Sequence, residues 1–269
     1  MSHTVFGLPI SMASAWIFNC YVIDAGGDVT VVDPGLPIVA GRALEMITGE
    51  LGYSAADIAS VLCTHAHPDH VAGVSTVTEQ ASCGAHLPAR CRAYLEGEEP
   101  RTFPLVGSLL KFMPVWGGQS FSARALTEFA RYGKTVGFGG PSTLTLDFDP
   151  AGYLDDADPL PAAAGWQTIH APGHTDDSTC FYHADSETLI SGDAVVTLDG
   201  RPWFNPEHVD AGLATETEER LRSLKVRHLL PGHGTPVQGT DVWRHARSFS
   251  TPPEGSGILA RCSRRFAKW

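Results

Sequence analysis

The sequence predicts an α/β protein, one domain over residues 1–269 with an inserted cap-like segment at about 97–160. Three observations carry this. Short β-rich runs alternate with helical spacings and with turns marked by glycine or proline. The rhythm breaks once, between Gly97 and Leu160, and then resumes. Finally, each group of residues with metal-ligand character follows directly on a predicted strand. A hydrophobic content of 43% and a charged content of 18% in 269 residues allow one large domain with a sizeable core.

Ala15 to Ile23 reads as a strand, and the turn Asp24-Ala25-Gly26-Gly27-Asp28 leads to a second strand, Val29 to Val32, which Pro34-Gly35 ends. Val39, Leu44, Ile47 and Leu51 have helical spacing. Ile58 to Cys63 is a buried-type strand. A helix from about Val71 to Gln80, a strand near Ser82 to His86 and a helix from Pro88 to Leu95 follow. The insertion holds an apolar stretch, Leu105 to Trp116, and an amphipathic helix from Phe121 to Tyr132 with Phe121, Leu126, Phe129 and Ala130 on one side. Gly- and Pro-rich turns and the acidic patch Asp155-Asp156-Ala157-Asp158 close it. Strands are then expected at Trp166–His170, Thr179–His183, Thr188–Ser191 and His228–Leu230, with a helix from Ala211 to Leu224 between the last two. The tail, Ile258 to Trp269, mixes Arg261, Arg264, Arg265 and Lys268 with apolar residues and is expected to pack back on the domain.

The formal net charge of −11 argues against nucleic acid as a partner, because phosphate binding needs a basic stripe. No apolar run reaches the length of a membrane span, and the first residues lack a secretory signal. Cysteines 20, 63, 83, 91, 180 and 262 have no CxxC spacing and suit a reducing compartment. A cytoplasmic protein is expected.

The chemistry is concentrated in His65-Ala66-His67-Pro68-Asp69-His70. Imidazole and carboxylate are the usual ligands of zinc and similar divalent ions. His174, Asp193 and His233 follow downstream, each in a glycine-marked loop after a predicted strand. A single such loop is ordinary turn vocabulary, and Asp69 alone could simply cap a helix. Four loops delivering seven donors are hard to read as turns, because the carboxyl edge of a sheet is where rigid strands present site residues. His86, His170 and His183 read instead as satisfied strand or surface histidines, and Cys63 as a buried strand residue.

His-x-His-x-Asp-His, the later Gly-His, Gly-Asp and Gly-His-Gly, and the earlier Val32-Asp33-Pro34-Gly35 resemble, in order, the motifs of the metallo-β-lactamase superfamily. The resemblance covers most of the chain and implies an αβ/βα four-layer sandwich. Carried over, it implies one metal on His65, His67 and His174 and another on Asp69, His70 and His233, with Asp193 bridging. Two divalent ions are implied, zinc first, with manganese, cobalt or iron as the other candidates. Two cations about 3.5–4 Å apart can share a hydroxide and polarise a substrate oxygen. Asp69 is then a candidate proton shuttle as well as a ligand. Asp33 is either a partner that orients a ligand histidine or a turn residue before Pro34.

Departures narrow the field within that family. Zinc β-lactamases lack the bridging aspartate present here as Asp193, and Pro68 and the acidic charge differ from ribonuclease Z-like members. Persulfide dioxygenases carry an Arg-Thr-Asp-Phe stretch where Val195-Val196-Thr197-Leu198 stands. Glyoxalase II has a histidine where Ala66 stands, and the acyl-homoserine lactonases a tyrosine at the place of Val196. The resemblance therefore implies a binuclear hydrolase of an ester, lactone or thioester of a small molecule. A mononuclear iron persulfide dioxygenase-like oxidoreductase and a β-lactamase-like amide hydrolase are the alternatives. Phe112, Met113, Val115 and Trp116 of the insertion could roof the site and form an apolar acyl pocket. Otherwise the insertion packs on the sandwich or makes the interface of a homodimer.

Overall fold

Residues 4–102, 105–132, 144–255 and 257–269 are described by the computed structural model. The first half contains β1 (Ile10–Ala15), β2 (Phe18–Asp24), β3 (Val29–Val32), α1 (Pro37–Gly49), β4 (Ile58–Leu62), α2 (Pro68–Val71), α3 (Val74–Ala81), β5 (Gly84–Pro88), α4 (Cys91–Leu95), α5 (Leu105–Trp116), α6 (Ala123–Tyr132) and β6 (Gly152–Leu154). Its strands form one sheet in the order β1 to β6, antiparallel as far as β3 and parallel beyond it. The second half adds β7 (Trp166–His170), β8 (Thr179–His183), β9 (Thr188–Gly192), β10 (Val195–Leu198), β11 (Arg201–Phe204), α7 (Ala211–Arg222), β12 (His228–Pro231), β13 (Val237–Gln238) and α8 (Ile258–Phe266). Its main sheet has the order β13-β12-β9-β8-β7, and β10 and β11 pair as a separate hairpin.

Strand periodicity assigns each sheet two apolar faces. On β2, Tyr21 and Ile23 point one way and Phe18, Cys20 and Val22 the other, because successive side chains alternate. Tyr21, Ile23, Val32 and Leu62 of the first sheet meet Trp166, Phe181, Ile190 and Leu230 of the second in one buried cluster. The opposite face of the first sheet packs on Val39, Ala43 and Ile47 of α1 and Val74 and Val77 of α3. The outer face of the second packs Leu189 and Leu229 against Leu221 of α7. The layers are thus helix, sheet, sheet, helix, in line with the α/β expectation.

Local departures have local causes. The strand expected over Ala15–Ile23 is two strands, joined at Trp16 and Ile17, with Trp16 at φ 60 and Ala15 paired to Phe18. A two-residue turn without glycine or asparagine is invisible in an apolar run. The helix expected over Val71–Gln80 divides into α2 and α3 at Gly73, whose N–H donates to the Gly35 carbonyl. A Cβ there would lie 2.8 Å from the Pro34 carbonyl oxygen, so only glycine lets the Pro34-Gly35 loop press this close. The helix expected from Pro88 starts at Cys91, since Pro88 pairs with Leu154 as the last residue of β5. The amphipathic helix starts at Ala123, where the Ser122 hydroxyl accepts the Ala125 N–H. The Gly- and Pro-rich turn expected after Tyr132 lies in 133–143, outside the described residues. The tail forms α8, which buries Ala260 and Ser263, and Trp269 stacks on Trp203 at 5.7 Å between ring centroids. Among the described residues, no helix is long and apolar enough to cross a membrane.

Candidate metal centre

Four strands of the two sheets end at one place. β4 runs through Cys63 and Thr64 into His65. Its loop then turns into α2, with His67 at the N-cap and Asp69 and His70 in the first turn. β7, β9 and β12 are followed by His174, Asp193 and His233. In the short helix the His70 and Val71 N–H groups both donate to the His67 carbonyl. That single turn aims residues of a six-residue segment at one point.

All seven sequence-predicted residues converge here, each at most 6% exposed. Among the described residues three overlapping groups offer donor atoms within 4.8 Å of one another: His65, His67 and His174; His65, His70 and Asp193; and Asp69, His70 and His233. The first and third coincide with the two triads expected from the sequence. Asp193 stands between them. Its Oδ2 lies 3.1 Å from His233 Nε2 and 3.5 Å from His174 Nε2, and its Oδ1 lies 3.5 Å from His70 Nε2. His174 Nε2 and His67 Nδ1 are 3.1 Å apart.

The surrounding hydrogen bonds fix which ring nitrogen faces inward. His174 Nδ1–H donates to the Glu207 carbonyl at 2.9 Å, and His233 Nδ1–H to the Ile17 carbonyl at 2.9 Å. His70 Nδ1–H donates to Asp33 Oδ2 at 2.9 Å. A carbonyl or carboxylate can only accept, so each Nε2 is left to the centre. Asp33 also accepts from the Thr64 N–H at 2.7 Å and the Thr64 hydroxyl at 2.8 Å. Of the two sequence readings of Asp33, the orienting partner is therefore the observed one. A Cβ on Gly232 would lie 2.5 Å from Asp193 Oδ1 and 2.9 Å from His70 Cε1, so glycine is required there for close approach rather than for φ.

These residues fit divalent cations. His65 Nε2, His70 Nε2, Asp69 Oδ1 and Asp193 Oδ1 are buried without a hydrogen-bond partner. Four orphaned polar atoms in one cluster are too costly for a structural core, and imidazole nitrogens with carboxylate oxygens are the donors zinc prefers. Electrostatics divides the cluster. Burial pushes His65 and His174 below the ordinary imidazole range and, with the neighbouring His174, lowers His67 to about 3. Burial also opposes charge on His70 and His233, but Asp33, Asp193 and Asp69 outweigh it: His70 rises well above the ordinary value and His233 to about 10. Asp193 is held well below the usual carboxylate range, its burial outweighed by His233 and His70. Metal-free, the first triad is neutral and ready to bind. The second is a charge network whose protons a cation must displace.

A cavity of about 430 Å³ opens on the cluster, lined by His67, Asp69, His174, Asp193 and His233 and by Glu207. Trp16, Ile17 and Phe18 from the β1–β2 turn, Leu109, Phe112 and Trp116 of α5, Phe121, and Leu126 and Phe129 of α6 line the rest. Phe112 and Phe18 set their rings edge-on to His233 at 5.3 and 5.6 Å. Of the insertion residues singled out in the sequence, Phe112 and Trp116 reach the cavity, whereas Val115 is buried in the core.

Several residues at the site carry no sequence motif. Asp177 accepts the Ala66 N–H at 2.8 Å and so braces the His65–His67 loop. Asn19 Nδ2 donates to the Pro231 and Gly234 carbonyls at 2.9 and 2.7 Å, and the Tyr21 hydroxyl to Pro231 at 2.7 Å. These bonds tie the His233 loop to β2 of the other sheet. Glu207 lines the cavity with a carboxyl that burial, aided by Asp193, raises to about 8. The acidic pair Asp176-Asp177 begins two residues after His174, but that spacing does not tell a brace from a turn.

The model of the metallo-beta-lactamase superfamily matches residues 15–233. A Bacillus subtilis (strain 168) protein named "Probable metallo-hydrolase YflN" is 24% identical, over 87% of this chain and 85% of the relative. The linear primary-alkylsulfatase of Pseudomonas sp. (strain ATCC 19151) is 26% identical over 82% of this chain but only 42% of its own length. An archaeal superfamily protein of known structure from Sulfolobus tokodaii aligns at TM-score 0.59 and 15% identity over 96% and 94% of the two chains, a likeness of fold.

Proposed function

The chain belongs to the metallo-beta-lactamase superfamily, and from that premise we propose that it is a binuclear hydrolase cleaving an ester, lactone or thioester of a small molecule with an apolar acyl group. The observation that carries this reading is the seven-donor cluster, five of whose residues line a largely apolar cavity. His65, His67 and His174 would hold one divalent ion, Asp69, His70 and His233 the other, and Asp193 both; zinc suits this donor set best. When bound, the ions supply Lewis acidity and a water acidic enough to attack at neutral pH.

The protein's own groups do the rest. His65, His67 and His174, neutral when metal-free, would add no negative charge to an ion between them. Asp33 and the Glu207 and Ile17 carbonyls keep His70, His174 and His233 in the binding tautomer. Asp69 keeps Oδ2 beside His233 Nε2 at 3.2 Å, and its Oδ1 has no hydrogen-bond partner. That oxygen can carry the proton to the leaving group. Phe18, Phe112, Trp116 and Phe129 seat the acyl chain and exclude bulk water.

A second reading, hydrolysis of an alkyl sulfate, is favoured by the alkylsulfatase relative. Against it, the described cavity lining holds no lysine or arginine, the residues that recognise anionic oxygens best. The deciding experiment is a panel of aryl esters, lactones, acyl thioesters and alkyl sulfates, run with and without chelator. Chelator-sensitive turnover of carboxylic esters supports the proposal. Turnover of sulfates alone, or oxygen consumption with a persulfide, would overturn it.

A further inference from the structure

Glu207 lines the cavity yet belongs to none of the three donor groups. It is 6% exposed, and its Oε1 is buried without a hydrogen-bond partner. The backbone around it is fixed at both ends: its N–H donates to Asn205 Oδ1 at 2.9 Å, and its carbonyl accepts from His174 Nδ1 at 2.9 Å. Glu207 thus shares the cavity lining with Asp69, His174, Asp193 and His233, on a backbone bonded to His174. Leu109, Phe112, Trp116, Leu126 and Phe129 line the same cavity, and none of them has a side-chain acceptor. Among the described residues nothing pairs with Oε1, so its role is open to a ligand.

We propose that Glu207 is a specificity-determining residue that accepts a hydrogen bond from an N–H or O–H of the substrate. The preferred substrates are then apolar acyl esters or thioesters that carry a hydroxyl or amide N–H near the cleaved carbonyl. A carboxyl oxygen accepts in either protonation state, so this selection persists across the working pH range. An ester lacking the donor leaves that buried oxygen unpaired in the complex, and sites of this kind reject such analogues strongly. The inference rests on the ester-hydrolase reading above.

The test compares phenyl hexanoate with phenyl 2-hydroxyhexanoate on the wild type, Glu207→Gln and Glu207→Leu. Intrinsic reactivity cancels in the ratio of ratios. The preference in kcat/KM for the hydroxy ester should fall about tenfold in Glu207→Leu, and less in Glu207→Gln, whose amide oxygen still accepts. The same preference in all three proteins would overturn the proposal. A binding arm stands apart from turnover: N-hexylacetamide and 2-nonanone, equal in length and differing by one N–H, are titrated against the fluorescence of Trp16 and Trp116. Glu207→Leu should weaken the amide about tenfold and the ketone much less; equal weakening of both would contradict it. If the wild type hydrolyses no ester, the hydrolase reading fails, and the amide–ketone pair still decides the role of Glu207.

Discussion

Asp33 accepts three hydrogen bonds from Thr64 and His70 at the point where β4 turns into the site. Its loss strands three buried donors, each costing about 1–3 kcal/mol. Asp33→Ala should therefore destabilise the metal-free protein by roughly 3 kcal/mol or more and weaken metal binding about 10–100-fold. Thermal unfolding and competition with a chromophoric chelator measure the two, and unchanged metal affinity would remove Asp33 from its orienting role. Protonation gives a second prediction at this scale. His233 in the folded, metal-free chain titrates at about 10, above the unfolded imidazole value of about 6.5. Its ionic stabilisation is complete below about 6.5 and is lost as pH rises through about 10. His65, His67 and His174 are neutral in both states above pH 6.5 and do not oppose this trend. The melting temperature of chelator-treated protein should fall from pH 7 to 10; a rise over that range would contradict the charge network. Of these residues the sequence disclosed all seven candidate ligands, because ligand types at fixed spacing are a local pattern. Asp177 and Glu207 were not legible, since what singles them out is a partner far away in the chain, or the lack of one.

Helices α5 and α6 lie in the segment that the sequence marks as an expected insertion, and their apolar faces do two jobs. Val115 and Ala125 are buried in the core, whereas Leu109, Trp116, Leu126 and Phe129 line the cavity. The helical spacing announced an apolar face but not its target, because periodicity is the same for core and for pocket. Trp116→Ala should lower kcat/KM for hexanoyl esters about tenfold, the order expected for removing a large buried ring, and change acetyl esters much less. Equal loss on both chain lengths would mean the helix supports the fold rather than the acyl group. The turn at Trp16 and the break at Gly73 escaped the sequence for a related reason: the first is a hairpin without turn residues, the second a contact with the Pro34-Gly35 loop.

At the scale of the molecule, two sheets contribute opposite halves of one site, and β2 is the link. Asn19 and Tyr21 of the first sheet hold the carbonyls on either side of His233, which follows β12 of the second. Asn19→Ala frees the Pro231 and Gly234 carbonyls in a buried setting and should cost about 1–3 kcal/mol. It should also weaken the ion held by His233 more than the ion held by His67. The succession of strands along the chain was legible from alternation and turns, and the layering only through the family resemblance. Which distant strand would staple the His233 loop did not, because pairing across sheets leaves no periodicity. On the proposed reading, this junction holds two ions through seven side chains. Metal analysis of purified protein by plasma mass spectrometry, beside His67→Ala and Asp193→Ala, tests it most directly. Two zinc-like ions per chain are expected, with loss in both variants; a single iron, or a metal content indifferent to both substitutions, would contradict it.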